Sequence, residues 1–220
     1  MYVVANAAVS VDGKLSTRER RQVAISGPAD FDRVDRLRAA ADAVLVGVGT
    51  ILADDPSLTL NEEDRQVGRL QNGRPANPAR ALLDSRARTP TDARVLDDEA
   101  ATHLVVDEDT DEERTRALET AGATVHRVAA PDGRVDVTAA LDALETAGVD
   151  RLFVEGGGEV FFSLFDADLV DEFTVFVGST VIGGRDAPTL IDGEGFLSPS
   201  DLTLVDVEQV DDGVVLSYDP

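Results

Sequence analysis

From His103 onward the sequence alternates short β-rich apolar runs with amphipathic runs, and few folds accommodate that rhythm. A strand at 103–106 precedes a helix at 111–121, with Leu118 and Ala121 on its apolar side and Gly122 as its stop. A strand at 124–128 precedes a helix at 137–147, with Val137, Leu141 and Leu144 apolar and Gly148 as its stop; a strand at 151–154 follows. Such alternation predicts parallel strands with helices packed on the sheet. Upstream, Val3–Val9 and Ala43–Val48 read as buried strands. Ser26-Gly27-Pro28 opens a helix carrying Phe31, Val34, Leu37 and Ala41 at helical spacing. Arg80–Leu83 is a further strand, whereas Asn61–Pro78 reads as a long surface loop. After Asp168 the rhythm changes. Glu172–Val177, Leu202–Gln209 and Val214–Tyr218 are strand-like, and Asp211-Asp212-Gly213 joins the last two as an antiparallel pair. The expectation is one α/β domain over residues 1–220, with a mixed, mostly parallel sheet and an antiparallel ending.

Ligands on such sheets sit at the carboxyl ends of the strands, and three polar turns are expected there. The strand ending at Val154 runs into Glu155 and then Gly156, Gly157 and Gly158, before the dense apolar run Val160–Phe165. Glycines admit close approach of a phosphate, and free N–H groups of a first helical turn point at it. A tight turn without a ligand is the alternative for the triplet alone. The second turn, Gly47-Val48-Gly49-Thr50, leads to Asp54-Asp55-Pro56, with Thr50 placed to cap the short helix. The third, Asp84-Ser85-Arg86-Ala87-Arg88, presents guanidinium forks suited to phosphate.

Charge narrows the partners. The net charge of −23 is dispersed along the chain and disfavours nucleic acid. Lys14 is the only lysine among 20 cationic residues, a composition that resembles proteins of a high-salt cytoplasm. A concentrated electrolyte screens the self-repulsion that such a chain suffers in dilute buffer. Lys14, Arg18, Arg20 and Arg21 form the densest positive cluster, a candidate phosphate-binding loop rather than a merely solvated one. With no cysteine, thiolate catalysis and cysteine-ligated zinc are excluded. His103 and His126 both lie in strand-like runs, and no metal site is expected. No apolar run is long enough to span a membrane, and the N-terminus reads directly as a strand. A cytoplasmic location without a signal peptide is the expectation.

Several motifs occur in order: VSVDGK at 9–14, RLRAAADAVLVGVGTILADDPSLT at 36–59, LLDSRAR at 82–88, VEGGGEVFFSLF at 154–165, LVDEFTVFV at 169–177, then IGGRDAPT and DGEGF. Together they resemble the riboflavin-biosynthesis reductases, both the stand-alone archaeal and fungal type and the C-terminal domain of the bacterial bifunctional deaminase–reductase. The resemblance covers nearly the whole chain outside 61–78. It implies a dihydrofolate-reductase-like fold, NADPH as cofactor with NADH as the alternative, and a homodimer. The implied reaction is hydride transfer to C1′ of the ribose of 2,5-diamino-6-ribosylamino-4(3H)-pyrimidinone 5′-phosphate. The bacterial deaminase domain needs cysteine ligands that this chain lacks, so the stand-alone type is expected. The alternatives are a reductase of the deaminated uracil compound, another dihydrofolate-reductase-like enzyme, or a nucleotide-binding protein without turnover.

By motif, the resemblance implies cofactor contacts at Thr50, Asp54, Ser85, Arg86, Ala87, Arg88, Gly156, Gly157, Gly158 and Glu159. It implies substrate contacts at Lys14, Arg38, Leu58 and Glu155. Glu155 is the candidate for proton handling, or else a capping carboxylate at the helix start. Bacterial members carry arginine where Asn61 stands here, so phosphate contacts are expected to shift to Lys14 and the arginines at 18–21.

Overall fold

The structure, a computed structural model, describes residues 1–220. Its elements run β1 (Tyr2–Ser10), α1 (Pro28–Ala40), β2 (Ala43–Gly47), α2 (Val48–Asp54), α3 (Glu63–Gln71), β3 (Ala79–Leu83), β4 (Thr102–Asp107), α4 (Glu112–Thr120), β5 (Ala123–Val128), α5 (Val137–Thr146), β6 (Arg151–Gly156), α6 (Gly158–Asp166), β7 (Glu172–Gly178), β8 (Thr203–Val210) and β9 (Gly213–Asp219). The strands take the order β5-β4-β3-β2-β6-β1-β7-β9-β8 in one nine-stranded sheet. Pairing is parallel for β1–β7, β2–β3, β3–β4 and β4–β5, and antiparallel for β7–β9 and β8–β9. The mixed, mostly parallel α/β sheet with an antiparallel ending is as the sequence predicts. No helix is long and apolar enough to cross a membrane.

The chain divides into two compact units, one of Met1 with Asp35–Phe153 and one of Tyr2–Val34 with Val154–Pro220. In the first, Leu45, Leu82 and Leu104 from adjacent strands are fully buried, as are Leu118 of α4 and Leu144 of α5. Asp111 and Asp136 cap α4 and α5 by accepting from the Arg114 and Ala139 N–H groups at 2.9 and 3.0 Å. Each cap is worth about 1 kcal/mol. In the second unit, Phe161 and Phe165 of α6 pack on Phe173 of β7 with ring centroids 6.2 and 5.0 Å apart. A side chain at Gly213 would lie 2.5 Å from the Phe176 ring, so glycine is required where β9 begins.

The stretch 61–78 is not a loop throughout, because α3 occupies its centre. Its apolar residues Val67 and Leu70 are exposed at 42% and 58%, while Arg69 is buried at 5%. Arg69 donates to the carbonyls of Pro75, Ala39 and Ala41 at 2.9, 2.9 and 2.7 Å. Burial, with the charge of Arg74 beside it, holds the Arg69 guanidinium down at about 10. The helix is therefore anchored by an arginine on carbonyls rather than by an apolar stripe, which hides it from periodicity. Asp35 completes the docking by accepting from the N–H of Asn61 at 2.8 Å and from Arg65 at 2.6 Å.

His103 and His126 are strand residues, on β4 and β5, with Nδ1 of the first 3.0 Å from Nε2 of the second. Burial lowers both imidazoles below their ordinary value, and His126 lowers His103 further. The unfolded chain therefore binds more protons than the folded one in the interval just below about 6.5. Stability is expected to hold at and above neutrality and to fall as pH drops through that interval. The urea midpoint should drop between pH 7.5 and 5.5 by more in the native chain than in His126→Gln. Equal drops would remove the pair from the account.

Candidate functional site

In the second unit, the carboxyl end of β1 leads into the Val11–Lys14 turn, which is pinned to the segment 180–192. Asp12 accepts from the N–H groups of Ile182 at 3.0 Å and Gly183 at 2.7 Å, and from the Ser10 hydroxyl at 2.7 Å. The Ile182 N–H, then the Ser10 hydroxyl and the Gly183 N–H, hold the Asp12 carboxyl down at about 2. Lys14 forms an isolated antiparallel bridge with Thr189, and the Leu15 N–H donates to the Pro188 carbonyl at 2.9 Å. The Lys14 ammonium is partly buried and donates to the Ala187 carbonyl at 3.3 Å. That leaves two of its three N–H donors for a ligand. Arg18, Arg20 and Arg21 are exposed, and Arg21 pairs with the exposed Glu19 at 3.3 Å. Of the expected cationic cluster, Lys14 is the member hydrogen-bonded to the 180–192 segment, whereas Arg20 and Arg21 bond locally to Thr17.

The same segment reaches the glycine turn. The Asp192 N–H donates to the Gly158 carbonyl at 3.0 Å, and a side chain at Gly158 would lie 2.7 Å from the Thr189 carbonyl oxygen. Gly156 ends β6. Gly157 adopts φ +98° ahead of α6, and no side chain caps that helix. Two of the three glycines thus have internal reasons: backbone conformation at Gly157 and close packing at Gly158. Glu155 is partly buried near the end of β6, and Glu159 is exposed in the first turn of α6. Sequence reading missed the role of 182–192 and gave Asp12 no role beyond its place in the VSVDGK motif.

In the first unit, β2 and β3 end in register, with Gly47 opposite Leu83, and Leu83 stands opposite Val105, two residues before the end of β4. Gly47 is the N-cap of α2, so Thr50 lies inside the helix and makes no cap, contrary to expectation. Asp54 ends α2, where desolvation raises its carboxyl above the ordinary value. Asp55 has φ +41° and accepts from the Arg94 N–H at 2.9 Å. Leu58 is buried at 2% with φ +56°, and Arg38 donates to the next carbonyl, of Thr59, at 3.0 Å. Asn61 is engaged by Asp35 through both its backbone and side-chain amides.

The turn after β3 is the best-defined feature of this unit. Asp84 is fully buried and accepts from the N–H and hydroxyl of Thr89 at 2.7 and 2.8 Å, while its other oxygen has no hydrogen-bond partner. Ser85 accepts from the Val135 N–H at 2.9 Å, Ala87 has φ +48°, and Arg86 and Arg88 are exposed. A cavity of about 260 Å³ is lined by Ser85, Arg86, Asp107, Asp109, Thr110, Asp111 and Arg114. A braced turn offering the exposed guanidinium of Arg86, that of Arg88 with its Nε 3.9 Å from Asp84 Oδ1, and a hydroxyl suits a phosphate group. The protein has no cluster of three or more His, Cys, Asp or Glu that could hold a metal ion.

The RibD C-terminal domain model matches residues 1–216. The chain belongs to the RibD C-terminal domain family. An Archaeoglobus fulgidus protein, "2,5-diamino-6-ribosylamino-4(3H)-pyrimidinone 5′-phosphate reductase", is 46% identical over 89% of this chain and 88% of its own. A Methanothermobacter thermautotrophicus protein of the same description is 40% identical over 94% and 91%. A crystal structure of a pyrimidine reductase-like protein from Corynebacterium diphtheriae shares the fold, with TM-score 0.85 at 20% identity over 99% of this chain and 91% of that one. Within the RibD C-terminal family, the nearly complete mutual coverage of the archaeal proteins places this chain beside stand-alone reductases.

Proposed function

We propose that this chain, an oxidoreductase of the riboflavin-biosynthesis reductase family, reduces the ribose of 2,5-diamino-6-ribosylamino-4(3H)-pyrimidinone 5′-phosphate to the ribitylamino product, with NADPH as cofactor. The observation that carries this reading is the 46% identity to the Archaeoglobus reductase over nearly nine-tenths of both chains. Lys14 holds the substrate phosphate through the two N–H donors left by Ala187. Glu155 orients the pyrimidine or handles a proton, with Arg38 and Leu58 as further substrate positions. Ser85–Arg88 hold a cofactor phosphate, Gly156–Glu159 the pyrophosphate, and Thr50 and Asp54 complete the cofactor contacts. The dihydronicotinamide, when bound, supplies the hydride for C1′ of the opened sugar. The protein's share of the acceleration is positioning, because no strong general acid stands out.

The working form is a cytoplasmic homodimer adapted to high salt. The edge strand β8 exposes Leu204, Val205 and Val207 at 53%, 57% and 55%, which supports an apolar contact between copies. The decisive measurement is oxidation of NADPH in molar KCl on adding the diaminopyrimidine ribosyl phosphate. Turnover is expected with this substrate and weak or absent with the deaminated uracil analogue. Tight NADPH binding without oxidation by either compound would overturn the proposal.

A further inference from the structure

We infer that Arg114, on α4, is a positioning residue that makes the Ser85–Arg88 turn selective for a 2′-phosphorylated nucleotide. The inference rests on the reading above that this turn holds the cofactor phosphate. The turn is gripped at two points. Asp84, fully buried, ties the start of the turn to its end through Thr89. Arg114 donates from Nε to the Ala87 carbonyl at 2.7 Å and from Nη2 to the Thr89 carbonyl. Ala87 is the residue in the left-handed region, between the two exposed arginines. A non-glycine residue there costs free energy and needs its surroundings to hold it. The planar guanidinium supplies that hold with two parallel donors of fixed spacing.

Arg114 is itself fixed. Its N–H bonds the Asp111 cap, and Thr110 ties the start of the same helix to the turn by donating to the Ser85 carbonyl at 3.0 Å. Both guanidinium bonds of Arg114 go to carbonyls rather than to a carboxylate, so its positive charge is not cancelled by an ion pair. It lines the cavity together with Ser85 and Arg86. Three carboxylates, Asp107, Asp109 and Asp111, line that cavity too and keep their charge, with Asp107 and Asp111 accepting from the backbone N–H groups of Asp109 and Arg114, so the guanidiniums of Arg86 and Arg114 are what offsets them. Arg114 therefore acts in two ways toward a phosphate. It stiffens the turn that carries Arg86 and Arg88, and it adds positive potential beneath them.

The test compares Arg114→Gln with the native chain at one fixed KCl concentration. Calorimetry gives the Kd of 2′,5′-ADP and of ADP, and kinetics give KM for NADPH and for NADH. In Arg114→Gln, 2′,5′-ADP binding and the NADPH KM are expected to weaken about tenfold or more. ADP binding, the NADH KM and kcat should change less than about twofold. Equal weakening toward both nucleotides, or no change, overturns the inference. A native chain that does not prefer 2′,5′-ADP to ADP overturns the underlying reading of the turn instead. Where circular dichroism shows Arg114→Gln unfolded, Arg114→Lys keeps a cation near the same carbonyls but loses the fork. It is expected to lose preference for 2′,5′-ADP by about threefold or more, and unchanged preference overturns the inference.

Discussion

Lys14→Ala is expected to raise the KM of the ribosylamino-pyrimidine phosphate by about 30- to 100-fold, the effect of losing one charge-assisted contact to a phosphate. The NADPH KM should stay within about twofold. The selectivity follows from how the lysine is held. Its backbone makes the bridge to Thr189 and accepts from the Ser10 N–H, and neither contact needs the side chain. Alanine therefore removes the ammonium and little else. The neighbouring arginines at 18–21 are poor substitutes, being exposed and, for Arg21, already paired with Glu19. Steady-state kinetics with each reactant varied in turn decides the matter. Equal rises in both KM values would mean that Lys14 supports the fold of the site rather than the substrate phosphate.

The largest effect on stability is expected from Arg80→Met. Arg80 lies in β3 with none of its surface exposed. It donates to the Ser57 carbonyl at 2.8 Å, to the carbonyls of Val95, Asp97 and Ala100 at 3.0, 3.4 and 3.3 Å, and to the Asp97 carboxylate at 2.8 Å. Methionine has similar length but no donors, so the partly buried carbonyls of Ser57, Asp97 and Ala100 would lose this donor at once, while Val95 keeps the Thr102 hydroxyl. Leaving such acceptors without their donor costs about 1–3 kcal/mol apiece, several kcal/mol together. That is a large share of a typical 5–15 kcal/mol of total stability. Urea unfolding at fixed KCl should show a markedly lower midpoint with an unchanged slope. Asp97→Ala should cost less, because Asp97 is 39% exposed and the carbonyls keep their arginine. A loss for Asp97→Ala equal to that for Arg80→Met would overturn this ranking.

Much of the sheet was legible because parallel strands and their helices carry plain apolar periods. The runs at 43–48, 103–106, 124–128 and 151–154 all become strands with ends shifted by no more than two residues. What stayed hidden depends on arginines that behave as interior residues. Arg69 anchors α3 and Arg80 clamps a loop, and no apolar pattern announces either. The candidate site was legible as motifs but not as mechanics. The glycine at 158 suggests room for a ligand, yet its neighbour is the Thr189 carbonyl. Asp12 and Lys14 stand next to a turn glycine, and nothing local reveals that both reach the segment 182–189. Such long-range pairings are set by topology, which a linear pattern does not encode.

The division of the chain also bears on how it is made. Asp35–Phe153 is continuous in sequence, so it can fold as it leaves the ribosome. The apolar strand β1 emerges before that unit, but its sheet neighbours β6 and β7 come only at the unit's end and after it. At about 5–20 residues per second, the nascent N-terminal strand must wait on the order of ten seconds unpaired. A chaperone that covers short apolar segments during translation would find its client in Tyr2–Ser10.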